Sequence, residues 1–363
     1  MYLYRFPIPY FVGSGMTAVK MSKLQITIVG ILVALILLIV GIIVWGWQSL
    51  AVPLNGGNTP TTFKVQSGEK SQTIADNLQQ DGFIRSPLWL LAYLKLNHQA
   101  LLPGIYSLTK SGTSIENVQP ILTGSVAERQ VTIREGLRLN EVAQLLQTDG
   151  VVSAPAFLSA ARYNPATSPI PASYDLKTDT FMEGFLFPDT YRLAVGATAQ
   201  NIVNTMESDY VTRTQNLNVS YNTLILASII EREAKFDTDR PLIASVFLNR
   251  LAKGMPLQSD VTVQYAKANA ECGPTAFSTC TLSNWWPALA SSDFKGIDSP
   301  YNTYENTGLP PRPICNPGLK SISAAANPAQ TNYLYFVADA SGHAHFATTL
   351  AEHNANIAKY MGK

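Results

Sequence analysis

A run of 22 uncharged residues, Ile26 to Trp47, constrains this 363-residue chain more than any other feature. Only Thr27 and a few glycines interrupt it. As a helix rising about 1.5 Å per residue it reaches roughly 33 Å, enough for a bilayer core of about 30 Å. Trp45 and Trp47 stand at its far end, where interfacial aromatics are favoured. Arg5, Lys20 and Lys23 precede the run, and no charge follows until Lys64. The positive-inside rule therefore puts the N-terminus in the cytoplasm and everything after Gln48 outside. A cleaved signal sequence has an apolar core of only about 7–15 residues, so the expectation is an uncleaved anchor at the cell membrane. Residues 1–25 read as a cytoplasmic tail, in which Met16 and Met21 stand as alternative starts. Residues 26–47 read as one transmembrane helix, and the uncharged Pro/Gly/Asn/Thr stretch 48–62 as a linker.

A net charge of +1, with 14% charged residues, gives no electrostatic basis for binding nucleic acid. Neither a Gly-rich phosphate loop nor a G-x-S-x-G elbow occurs. What does occur is an internal repeat. Phe63 to Gly68, with Ile74, Ala75, Leu78, Asp81, Gly82 and Pro87, matches Val131 to Gly136, with Val142, Ala143, Leu146, Asp149, Gly150 and Pro155, at a constant offset of 68. Trp89 and Phe157 also correspond. Each copy reads strand, glycine turn, helix and Asp-Gly turn. Between the copies, Leu101–Leu108 reads as a strand and Ile115–Leu122 as a short helix. The repeat is either a duplicated packing unit or a module that grips a sugar chain.

The segment Glu183 to Tyr191 gathers aromatics around two acids and a proline, which suits a carbohydrate face or an ordinary core turn. Two helices follow. The first, about Thr223 to Lys235, is apolar on nearly every face and so belongs inside a domain. It ends on Glu231 and Glu233. A buried carboxylate either finds a partner or takes a raised pKa, and a raised pKa is what a general acid needs at neutral pH. Glu231 shares a face with Leu224, Ala227 and Ser228; Glu233 shares one with Ile229, Ile230 and Asp237. Periodicity does not choose between them, and both can also be helix-end acids paired with Arg232, Lys235 or Arg240. Asp237, Thr238 and Asp239 are placed to cap the second helix, Pro241 suits its first turn, and Lys253 and Gly254 end it.

Residues 268–298 form a polar, Trp-bearing insertion. Outside the membrane its two cysteines can pair, so a Cys272–Cys280 disulfide is expected, with Cys315 as the odd thiol. No histidine has zinc spacing to these cysteines. Ser299 to Gly318 is too rich in Pro, Gly and Asn for a helix or central strand, and an ordered loop of that length is usually functional. A short helix begins at Ile322. Tyr333–Ala338 and His343–Ala347 read as a hairpin across Asp339–Gly342, and a last helix carries Glu352, His353 and Asn354. His343 and His345 alternate on a strand with no acid fixed beside them, so neither a metal nor any other cofactor is expected.

Several segments occur together and in order: Ala227-Ser-Ile-Ile-Glu-Arg-Glu233, Ala244 to Arg250, Leu257-Gln-Ser-Asp260, Ser299 to Tyr304, Gly308-Leu-Pro-Pro311, Asn316-Pro-Gly318, Tyr335-Phe-Val337 and Glu352-His-Asn354. With Glu183-Gly184 and Phe187 to Tyr191 upstream, they resemble the endolytic murein transglycosylases of the MltG/YceG-like family over residues 60 to 363. The resemblance implies an α+β fold: an N-terminal single transmembrane helix, a LysM-like βα module at 63–128, and a mixed α/β catalytic domain at 129–363. It implies a lyase that cuts the MurNAc–GlcNAc β-1,4 bond inside nascent glycan strands and leaves a 1,6-anhydro-MurNAc end. Peptidoglycan strands would be the substrate, and peptidoglycan synthases are candidate partners in the membrane. The family's catalytic glutamate falls, on this reading, at Glu231, acting first as acid and then as base. Gln258, Asp260, Asn302, Tyr304, His353 and Glu233 are candidates for substrate contact. Two features depart from the family pattern: Val261 stands where proline is usual, and the 268–298 insertion borders the presumed cleft. Two other functions fit the residues. A hydrolysing muramidase would need a second acid, from Glu233, Asp260 or Asp189. A wall-binding scaffold would need none.

Overall fold

The computed structural model describes residues 22–272 and 285–362. It is a mixed α+β chain that divides into two compact units at Ser125/Val126. In the first unit, α1 (Lys23–Ala51) is a 29-residue helix, opened by a capping box in which Ser22 and Gln25 satisfy each other's backbone N–H. It is long and apolar enough to cross a membrane. It runs four residues beyond the expected end at Trp47, because nothing between Gln48 and Ala51 breaks a helix. Then come β1 (Thr61–Val65), α2 (Ser71–Gln80), α3 (Pro87–Leu96), β2 (Gly104–Leu108) and α4 (Ser114–Thr123). β1 and β2 pair antiparallel, Phe63 opposite Tyr106, and close over Ile74, Leu78, Phe83, Leu90 and Val118.

The second unit begins with the same order: β3 (Glu128–Thr132), α5 (Leu139–Thr148), α6 (Ala154–Ala160), β4 (Thr190–Ala194) and α7 (Ala199–Thr214), with β3 and β4 again antiparallel. The duplication therefore runs through five elements and takes in the strand and helix expected to lie between the copies. Across residues inserted after α6 the offset rises from 68 to 85, and it then holds: Tyr106 matches Tyr191, Leu108 matches Leu193, Val118 matches Val203. Both tyrosines are buried and donate their hydroxyl to the carbonyl four residues back, Tyr106 to Leu102 at 2.8 Å and Tyr191 to Phe187 at 2.6 Å.

The remaining elements complete the second unit: α8 (Tyr221–Glu233), α9 (Arg240–Ala252), α10 (Asp260–Cys272), the short α11 (Asp293–Gly296), α12 (Leu319–Ala326), the hairpin β5 (Tyr335–Ala338) and β6 (Ala344–Ala347), and α13 (Leu350–Tyr360). α8 is the hub. Seven consecutive residues, Leu224 to Ile230, are buried, and the helix packs against α9, α10 and α12. Around Phe185, fully buried, stand Tyr174, Tyr210 and Tyr221 with ring centroids 5.2 to 6.0 Å away.

The loop at 299–318 is fastened by buried polar groups. The Asn316 carboxamide accepts the N–H of Gly184 at 2.8 Å and of Leu186 at 3.2 Å, and donates to the Leu137 carbonyl at 3.0 Å. Gly184 is required there: its φ is +95°, and a Cβ would come within 2.6 Å of Pro313. Ser228 accepts the Ile314 N–H at 3.0 Å. One expectation fails at the start of α9. Asp239 occupies the cap position but its side chain does not cap the helix. It accepts the Ala344 N–H at 2.9 Å instead, tying β6 to α9, while Asp237 pairs with Arg240 and Lys320.

Candidate active site

The last residue of α8 reaches a groove of about 340 Å³ lined by Glu233, Phe247, Arg250, Gln258, Asp260, Tyr304, Phe336 and His353. Four elements converge on it: the end of α8, α9, the turn into α10, and β5 with α13 behind it. Phe247 and Phe336 meet edge to face at 5.9 Å and give the groove an apolar wall. Glu233 is the half-buried acid that lines the same groove. Burial pushes its carboxyl up to about 7; the nearby Asp260 charge adds to the rise, and a hydrogen bond from Ser259 offsets part of it. Its place at a helix C-terminus works in the same direction, since unpaired carbonyls there repel a carboxylate.

The groove's polar groups are held in place. Gln258 adopts φ +52°, a left-handed conformation that costs a non-glycine residue on the order of 1 kcal/mol or more. It is held by its N–H to the Thr303 carbonyl at 3.0 Å and by Arg250 on its side-chain oxygen at 3.1 Å. Arg250 is buried and also donates to the carbonyls of Leu334, Pro256 and Leu257, so it braces β5 against the turn. Tyr304 donates its hydroxyl to Asp260 at 2.6 Å. His353 stacks on Tyr335 at 5.2 Å, and its Nδ1 is buried without a partner. Burial, then the Arg250 charge, holds its imidazole below the usual histidine range, so it is neutral at pH 7.

Glu231 lies elsewhere. Its carboxylate accepts the Gly318 N–H at 3.0 Å and faces Arg240 at 3.4 Å, with both side chains more than nine-tenths buried. Arg240 is also bonded to Ser321 and Asp237. This is a clasp joining α8, α9 and the start of α12, and Glu231 is not among the residues lining the groove. Asn302 is not there either. It is fully buried and spends its amide on the carbonyls of Phe294 and Ile297 and on the Tyr304 N–H, so it shapes the loop that presents Tyr304. Asp189 pairs with Arg213, away from the groove. Arg250, Phe247 and Phe336 also line the site; they fall in the Ala244–Arg250 and Tyr335–Val337 segments but are not singled out there as site residues. The expected Cys272–Cys280 pair involves Cys280, outside the described residues. Cys315 is a buried free cysteine whose S–H donates to the Ser228 carbonyl, and burial raises its thiol.

A second cavity, of about 300 Å³, shares no lining residue with the groove. Its acid, Glu183, is already committed: one oxygen accepts the Leu139 N–H at 2.8 Å and the other the Tyr265 hydroxyl, with Arg138 nearby. Among the described residues no cluster of three or more His, Cys, Asp or Glu could hold a metal ion.

Comparison with known proteins gives this geometry its context. The model of the YceG-like family matches residues 63–359. The chain belongs to the YceG-like family. A YceG-like protein of Listeria monocytogenes, known from a crystal structure, superposes with a TM-score of 0.51 at 28% identity, covering 82% of this chain and 99% of that one. The endolytic murein transglycosylase of Bacillus subtilis is 31% identical over 345 residues, 90% of this chain and 91% of that protein. The endolytic murein transglycosylase of Streptococcus pneumoniae is 29% identical over 331 residues, 83% of this chain. The match spans only 58% of that relative's own length. The groove at Glu233 and the clasp at Glu231 both lie within the matched YceG-like region.

Proposed function

We propose that this chain is a membrane-anchored endolytic peptidoglycan lytic transglycosylase in which Glu233, rather than Glu231, is the general acid and then the base. The observation that carries the reading is the position of Glu233, a carboxyl pushed up to about 7 at the side of an open groove. An ordinary carboxyl at 4.5 would be protonated in only about one molecule in 300 at pH 7. Glu233 is protonated in about half, so both forms needed for the two steps are populated. In the first step its proton goes to the glycosidic oxygen as the C1–O bond breaks. In the second the carboxylate takes the proton of the MurNAc 6-hydroxyl while that oxygen bonds to C1. No water is consumed, and the ring closure is intramolecular, which favours it strongly. Gln258, Tyr304 and His353 would bind the sugars, and Asp260 would stabilise positive charge developing at C1.

The first repeat copy, with its strand–helix–helix–strand order, supports a LysM-like module, and Arg5, Lys20 and Lys23 ahead of α1 support a cytoplasmic N-terminus. Hydrolysis remains the rival reading, because Asp260 is a second carboxylate in the same groove and near enough to raise Glu233. Digesting uncross-linked glycan strands and weighing the new ends separates the two. Anhydro ends support the transglycosylase; reducing ends with one added water support a muramidase using Asp260.

A further inference from the structure

The last turn of α1 is gripped by the first repeat copy. Gly46 and Ser49 are buried there, unlike the rest of the helix. Trp45 meets Trp89 of α3 edge-on at 5.6 Å, and a Cβ on Gly46 would lie 2.8 Å from the Trp89 ring. Carbonyls at a helix C-terminus lack intrahelical donors. Here Ser114 donates to the Ser49 carbonyl at 2.6 Å, and Arg85 to those of Gln48 at 2.8 Å and Pro53 at 2.7 Å. The repeat copy is thus fixed to the outer end of the apolar run, beside the Trp45/Trp47 pair.

At that level α3 has an anomalous outer face. Its inner residues Leu90 and Leu94 are buried, but Leu88 is 62% and Leu96 80% exposed. The neighbouring α2 shows ordinary residues outside: Gln72, Asp76, Gln79 and Gln80. The duplication supplies an internal control. At the offset of 68, Leu88 and Leu91 correspond to Ala156 and Ser159 of α6, while the inward Trp89 and Leu90 correspond to the buried Phe157 and Leu158. The fold keeps the inner positions apolar in both copies and does not require leucine outside.

We infer that α3 is an interfacial helix, seated in the headgroup region of the bilayer that α1 crosses. This rests on the anchor reading above. The apolar surface of α1 continues onto α3 through Trp45 and Trp89, which stand where a membrane's aromatic belt lies. Lys95, the one charge on α3, can reach from there to water. The first repeat copy is then a collar that holds the anchor at a fixed angle, with its α3 side turned to lipid rather than to glycan.

Spin labels on the full chain, reconstituted in vesicles of phosphatidylethanolamine and phosphatidylglycerol, test this. Labels at L96C on α3, Q72C on α2 and L37C in mid-anchor are compared by collision with oxygen and with a water-soluble nickel complex, the parent chain serving as blank. The seat predicts that position 37 is shielded from nickel and that position 96 meets nickel at least about five-fold less than position 72. If 96 equals 72 while 37 is shielded, the seat is overturned and the anchor stands. If 37 is as open to nickel as 72, the anchor reading fails and the seat fails with it.

Discussion

Glu231 and Glu233 stand two residues apart at one helix end, so about 200° of helical rotation separates their side chains. One turns into a clasp with Arg240 and the Gly318 N–H, the other into the groove beside Asp260. The difference sets their chemistry. Above pH 7 the protonated acid is lost, so kcat/KM on glycan strands should fall about tenfold per pH unit there. Stability falls in the same direction but in a lower pH window. Between about pH 4.5 and 7 folded Glu233 keeps a proton that the unfolded chain has released, so stability falls as pH rises through that window. The penalty is complete above pH 7 and on the order of 3 kcal/mol at most. E233Q should therefore melt higher than wild type at pH 8, with the two converging near pH 4 in differential scanning calorimetry. E231Q should melt lower at both, because it leaves the buried Arg240 without its one buried counter-charge, with only the half-exposed Asp237 still paired to it, a loss of about 3 kcal/mol.

At the scale of elements, the groove depends on how α8, the 299–318 loop and β5 are tied. Asn316 satisfies two buried N–H groups and one carbonyl. N316A should destabilise the chain by at least about 2 kcal/mol, read as a lower urea midpoint, since each orphaned buried group costs about 1–3 kcal/mol. R250M should weaken substrate binding, seen as a raised KM in addition to a stability loss, because its guanidinium fixes the strained Gln258. Much at this scale was legible. The hairpin, the long loop and the apolar α8 follow from periodicity and turn residues. Which glutamate faces the groove was not, because a helix end shows which faces exist but not what packs against each. Asn302 misled for a related reason: a polar residue in a Pro/Gly loop reads as ligand-facing, yet loops fold over their own backbone and need buried amides to satisfy it. Arg250 entered only as the end of the Ala244–Arg250 segment, with no role assigned, since its ties to Pro256, Leu257, Gln258 and Leu334 depend on how the chain turns back on itself.

For the whole molecule, the duplication was visible at offset 68, but its full five-element extent was hidden by residues inserted after α6, which move the offset to 85. The long apolar helix was legible as composition alone, while the grip of Trp89 and Arg85 on its end needed coordinates. A chain beginning at Val52 should leave the membrane fraction, whereas the full chain should resist carbonate washing and yield only to detergent. One carboxyl decides the chemistry, and mass spectrometry of glycan strands treated with wild type, E233Q and E231Q identifies it. Wild type should release 1,6-anhydro ends. E233Q should lose them by about 10²-fold or more at unchanged fold, and E231Q should keep making them below its melting temperature. Anhydro ends persisting in E233Q but vanishing in a folded E231Q would assign the proton transfers to Glu231 instead.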